Sequence, residues 1–246
     1  MGRHARRHSD TARSTGSVRP KGTATGMAKA LLFDLDGTLL VSDPLHIAVF
    51  GEFFAERGMP YSEEVYERQI HGSHNAEIFP RLFPGEDAKA LAEEKERRFR
   101  ERLAPGTPPM PGARALLDRA VERNWRLAVV TNAPRINAEH MLNAIGLRDY
   151  FETLVIGDEC ARGKPDPEPY LAAMRALDVS PRDCIAFEDS QSGMRAAARS
   201  GAFGVGVLSG VAPDRLIEVG AKATIRDFED DTLPEILARL EGETTP

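Results

Sequence analysis

Cysteine is nearly absent from this chain. Cys160 and Cys184 are the only two in 246 residues. Two are too few for a disulfide framework, which points to a reducing compartment and a cytoplasmic protein. Cys184 opens the apolar run Cys184-Ile185-Ala186-Phe187 and reads as a small buried hydrophobe. Long apolar runs are missing as well. None approaches the roughly 18 to 20 residues that span a bilayer, so no membrane partner is expected. The body of the chain also lacks a basic balance. Residues 1–26 hold six Lys/Arg and one acid, net +5; the whole chain is −6, which leaves −11 for residues 27–246. An acidic body has no basic face for a polyphosphate backbone, so no nucleic-acid partner is expected. No internal repeat occurs.

What is present is ordinary globular composition, 41% hydrophobic and 28% charged. That length and composition suit one large domain or a domain carrying an insertion. The leader, residues 1–26, is rich in Arg, Ser, Thr and Gly without apolar periodicity, and is expected to be disordered. No apolar region follows Arg6-Arg7, which argues against a secretory signal. The composition also fits a mitochondrial-type presequence, but the apolar face of one is missing. Met27 stands directly before the first apolar run, so the leader reads as a tail or an upstream-start artefact rather than a targeting segment.

The chain is organised around Leu31-Leu32-Phe33-Asp34-Leu35-Asp36-Gly37-Thr38. An apolar run that breaks into two acids and a glycine reads as a buried strand opening into a polar turn. A turn and nothing more is the plain alternative. Helical patterns follow over Pro44–Gly58, Ser62–Ile70, Asn75–Phe83 and Glu86–Leu103, with no convincing strand among them. The Pro/Gly-rich stretch 105–112 then reads as a linker. Beyond it apolar strands and amphipathic helices alternate to the end, the signature of βαβ units and a parallel sheet. The expected fold is therefore α/β. A Rossmann-like parallel sheet core (27–42 and 108–246) is flanked by helices and carries an inserted α-helical cap (43–107).

Open parallel sheets gather ligands at the carboxyl ends of their strands. The polar residues found there are Asp34 and Asp36, Thr131 and Asn132, Lys164 in Gly163-Lys164-Pro165, and Glu188-Asp189-Ser190. Together they comprise a nucleophile candidate, a hydroxyl, a cation and an acidic pair. Such a set suits phosphoryl transfer. A carboxylate can attack phosphorus, hard oxygens suit a divalent cation, and a lysine offsets phosphoryl charge. An EF-hand-type calcium loop from Asp34 fails, because its twelfth position is Leu45 rather than Glu.

These four segments, in this order, resemble the haloacid dehalogenase superfamily of phosphohydrolases with a helical cap after the first strand. The segments around Ile70-His71-Gly72-Ser73-His74-Asn75, Thr131-Asn132-Ala133-Pro134 and Gly157-Asp158-Glu159-Cys160 are similar to small sugar-phosphate phosphatases, which stand beside the β-phosphoglucomutases. The resemblance implies that Asp34 is the nucleophile and forms an aspartyl phosphate. It implies that Asp36 is the general acid and base, that Thr131 and the Asn132 amide hold phosphoryl oxygens, and that Lys164 neutralises charge. Mg2+ would be held by Asp34, the backbone carbonyl of Asp36 and Asp189, with Glu188 supporting. His46, ten residues after Asp36, and Lys95, sixteen before Pro111, match a hinge histidine and a cap lysine of the mutase-like branch. Each has a plain alternative: a hinge-packing histidine, and one charge among many on a charged helix.

The chain also departs from its relatives. Val41 stands where they often carry Asp, and Ser73 where they often carry Arg or Lys. Losing that cation removes an anchor for a second phosphate and favours a phosphatase over a mutase. His74 and Asn75 are candidates for binding sugar hydroxyls instead. The expectation is a Mg2+-dependent phosphatase of small phosphorylated metabolites, acting as a monomer or weak dimer. A hexose-phosphate mutase, a phosphoglycolate phosphatase and a non-catalytic phosphate binder are the rivals.

Overall fold

The tetrad Ala30-Leu31-Leu32-Phe33 has no polar alternation, and all four residues are buried. A strand with both faces apolar belongs in the middle of a parallel sheet covered on both sides. The structure, a computed structural model, places it there. It describes residues 28–71 and 73–241, so the expectations for the basic leader and for Gly72 lie outside the described residues.

The strands are β1 (Ala30–Phe33), β2 (Arg126–Thr131), β3 (Thr153–Ile156), β4 (Cys184–Glu188), β5 (Phe203–Val207) and β6 (Ala223–Ile225). They form one sheet in the order β3-β2-β1-β4-β5-β6, every pair parallel. Four helices intervene between β1 and the next α/β unit: α1 (Asp43–Glu56), α2 (Glu63–Gln69), α3 (Asn75–Leu82) and α4 (Ala88–Arg102). The remaining helices are α5 (Ala113–Glu122), α6 (Arg135–Ala144), α7 (Glu168–Leu177), α8 (Gln191–Ser200), α9 (Pro213–Glu218) and α10 (Leu233–Glu241). The four helical patterns expected between Pro44 and Leu103 are present within one or two residues of their expected ends.

One apolar cluster fills each face of the sheet, and Phe33 and Phe187 stack across the β1–β4 pair with ring centroids 5.0 Å apart. Fully burying such a ring contributes about 1.5–3 kcal/mol. A separate cluster built on Phe50, Phe53, Tyr66, Ile78, Phe79 and Phe83 holds α1 to α4 together. Phe99 of α4 and Leu103 just beyond its end instead join the sheet cluster beside Leu39 and Leu40, which ties the helical insert to the strand end. The strand order reverses between β1 and β4, so a crevice opens between their carboxyl ends. Among the described residues no helix is long and apolar enough to cross a membrane.

Candidate active site

The crevice is occupied by acids because β1 and β4 each end in them. The Asp34 amide still donates to the Phe187 carbonyl at 3.0 Å, so Asp34 is positioned by the sheet itself. The chain then turns at Gly37, whose φ of +69° suits glycine. A Cβ on Gly37 would lie 2.0 Å from Asp189 Oδ2, so the turn and the β4 acid are in close contact.

Lys164 enters from the loop before α7 and is only 4% exposed. Its Nζ donates to Asp34 Oδ1 at 2.6 Å and to the Val130 carbonyl at 2.7 Å, and lies 2.6 Å from Glu188 Oε1. Three ammonium protons thus face three acceptors. The Tyr170 hydroxyl donates to the same Glu188 oxygen at 2.5 Å. Burial and the adjacent Glu188 charge raise the Tyr170 pKa well above its ordinary value, which keeps it a donor.

Asp34, Glu188 and Asp189 each present an oxygen within 4.8 Å of the others. Burial drives the Asp34 pKa up to about 7, against the pull of Lys164 and with the push of Glu188. Burial, then the charges of Asp34 and Glu188, raise Asp189 well above the carboxylate range. Three buried carboxylates share one lysine, a deficit that a cation relieves. Glu188 Oε2 is buried without a hydrogen-bond partner, and a Cβ on Gly193 would come within 1.9 Å of it. An oxygen-only donor set with an unpartnered buried carboxylate oxygen fits a hard divalent cation such as Mg2+.

The Asp36 side chain turns the other way. His46 Nε2 is 3.0 Å from its Oδ1, and the imidazole stacks on Phe99 with centroids 4.4 Å apart. Burial alone would raise the Asp36 pKa, but the His46 bond and charge, together with Lys95, bring it below its ordinary value. The carboxylate of Asp36 is thus outside the three-acid cluster.

Thr131 is buried and its Oγ1 accepts the Ala133 amide at 3.0 Å, leaving the hydroxyl proton to donate. Asn132 splints the lysine loop: its Oδ1 accepts the Lys164 amide at 3.2 Å and its Nδ2 donates to the Lys164 carbonyl at 3.2 Å. Its Nδ2 also lies 2.8 Å from His74 Nε2, which links this loop to the helical insert. Lys95 is buried and paired with Glu96 at 2.8 Å, and the Asn75 amide donates to Glu96 at 2.6 Å.

A cavity of about 270 Å³ is lined by Asp34, Asp36, His46, His74, Asn75, Lys95, Thr131, Asn132, Lys164 and Asp189. Glu188 lies beneath its floor at 0% exposure. Sequence reasoning missed Tyr170, which reads as one more apolar residue of its helix. It also missed Glu96 and Asn137, buried polar residues that meet across α4 and α6. Asn137 lies on the same face of α6 as buried Met141, and a polar residue on an apolar face is the signal that could have found it.

A family profile described as haloacid dehalogenase-like hydrolase matches residues 31–207. A phosphorylated carbohydrates phosphatase of Thermotoga maritima is 33% identical over 220 residues, covering 85% of this chain and 100% of that one. A beta-phosphoglucomutase of Bacillus subtilis is 30% identical over 216 residues, covering 83% and 92%. Among solved structures, a HAD hydrolase of family IA, variant 3, from Entamoeba histolytica superposes with a TM-score of 0.76 at 30% identity, covering 87% of this chain and 99% of that one.

Proposed function

This chain belongs to the haloacid dehalogenase-like hydrolase family as a phosphoric monoester hydrolase, and from that premise we propose a Mg2+-dependent phosphatase of small phosphorylated carbohydrates. The carrying observation is the convergence of Lys164, Asp34 and Glu188 at 2.6 Å contacts beside Asp189. The Thermotoga relative's name supports the carbohydrate class.

In this reading Asp34 Oδ attacks phosphorus, the ester P–O bond breaks, and the leaving alkoxide takes a proton from Asp36. Water then attacks the aspartyl phosphate, Asp36 takes the proton, and inorganic phosphate leaves. The lowered pKa of Asp36 keeps it ionised for the second step. His46, 3.0 Å away, is the group placed to exchange the proton that the first step requires. The Thr131 hydroxyl proton is the donor to a phosphoryl oxygen, and Lys164, its own protons taken by Asp34, Glu188 and Val130, offsets negative charge beside it. Asp34, Asp189 and the Asp36 carbonyl would hold Mg2+, with Glu188 in support; when bound, the cation supplies positive charge to the phosphoryl oxygens. Residues 43–107 act as the cap over this edge, with His74 and Asn75 facing the sugar.

The test is a panel of phosphorylated sugars, glycerol phosphate and phosphoglycolate with Mg2+, scored for inorganic phosphate and for isomerised product. Phosphate release from sugar esters is expected, abolished by Asp34→Asn and by EDTA. Isomerisation without net phosphate release would make the protein a mutase, the reading that the Bacillus relative's name and the His46–Asp36 contact favour. Full activity in Asp34→Asn would refute the mechanism.

A further inference from the structure

The helical side of the cavity is lined from α1, α2, α3, α4 and α6, and Glu96 sets the charge beside Lys95. Six carboxylate side chains line the whole cavity against two lysines and the imidazoles of His46, His71 and His74, and no arginine among the described residues does. Neither lysine is free. Lys164 is held by Asp34 and Glu188, and Lys95 by Glu96 at 2.8 Å. Glu96 in turn is held by three donors from three helices. Its Oε1 accepts from Lys95 and from Asn75 Nδ2 at 2.6 Å, and its Oε2 accepts from Asn137 Nδ2. The side chains of Lys95 and Glu96 are 8% and 11% exposed, so water screens their pairing weakly.

A carboxylate fixed in this way cancels the field of Lys95 where the alcohol part of a substrate would sit. A second phosphate, or a carboxylate, placed there would meet Glu96 without an unpaired cation to receive it. A hydroxyl meets no such penalty, since it both donates and accepts.

We infer that Glu96 is a specificity determinant. It restricts the site to monophosphate esters of uncharged, hydroxyl-rich alcohols and excludes substrates that carry a second phosphate or a carboxylate. This rests on the phosphatase reading and narrows it, against both the bisphosphate-primed mutase and the phosphoglycolate phosphatase.

The experiment measures kcat/KM of the full chain for two matched pairs: glucose 6-phosphate against glucose 1,6-bisphosphate, and glycerol phosphate against phosphoglycolate. In each pair the uncharged alcohol should be favoured by about tenfold or more, the worth of one charge-assisted hydrogen bond. Glu96→Gln keeps the shape and frees Lys95, so the ratio should shrink by about tenfold, chiefly through KM of the more anionic ester. Lys95→Gln leaves Glu96 unopposed and should widen the ratio. A purely structural role would move both variants in the same direction, and circular dichroism checks that both are folded. Equal turnover within the native pairs, or ratios that shift together in the two variants, overturns this inference alone. No phosphate release from any ester, para-nitrophenyl phosphate included, overturns the phosphatase reading and this inference with it.

Discussion

Lys164→Met removes a charge from the most enclosed part of the site while keeping an unbranched side chain one atom shorter. Lys164 is 4% exposed, and its ammonium contacts Asp34, Glu188 and the Val130 carbonyl between 2.6 and 2.7 Å. The variant leaves two buried carboxylates and a carbonyl facing a thioether. Removing one member of a buried pair costs about 3–5 kcal/mol. Domains of this kind hold about 5–15 kcal/mol in total, so the variant should fold but sit close to its limit. With a urea slope of about 3 kcal/mol/M, a loss of 4 kcal/mol moves the midpoint down by about 1.3 M. Catalysis should fall as well, since deleting one preorganised charge beside a developing one costs about a hundredfold to a thousandfold in turnover. The pH profile supplies the sharper sign. Burial already lifts Asp34 to about 7, and Lys164 is the chief group pulling it back. Without the lysine that pKa rises, less anionic nucleophile exists at neutral pH, and the acidic limb of kcat/KM moves to higher pH. A urea melt with EDTA present and a pH–rate series on a sugar monophosphate measure both effects. An unchanged midpoint, activity within about threefold of native, or an unmoved acidic limb would show that Lys164 does not neutralise these acids in solution.

Two further outcomes follow from the same geometry. His46→Ala frees Asp36, so kcat/KM should drop about a hundredfold for a sugar phosphate, whose alkoxide needs a proton, and far less for para-nitrophenyl phosphate, whose leaving group does not; equal losses on both would remove His46 from proton handling. In protein stripped of metal, Asp34 keeps its proton to about pH 7 when folded but releases it near 3.8 when unfolded. The folded state then binds more protons between those limits, and its stability falls as pH rises through that window. Asp34→Asn lacks this titration, so its stability relative to native should climb from pH 4 to pH 7 in urea melts, and a flat difference would contradict the raised pKa.

The amino-acid sequence by itself determined the element order and the identity of the strand-end residues. Both depend on local information: an apolar run stops at Asp34, at Thr131 or at Glu188, and the next residues are polar. Parallel pairing then needs no further instruction to bring those ends to one edge, so Asp34 and Lys164 meet although 130 residues separate them. The division of labour among the acids is not in the local pattern. The family resemblance assigns different roles to Asp34 and Asp36, but that one faces Lys164 and the other His46 follows from α1 returning the histidine to the turn. Glu188 and Asp189 are neighbours, but strand alternation sends the first beneath Lys164 and Tyr170 and leaves the second at the cavity. The Glu96 cluster is further still from any local pattern. It exists only because α4 packs across α6, and the helical insert sets that crossing through side-chain packing between segments distant in the chain.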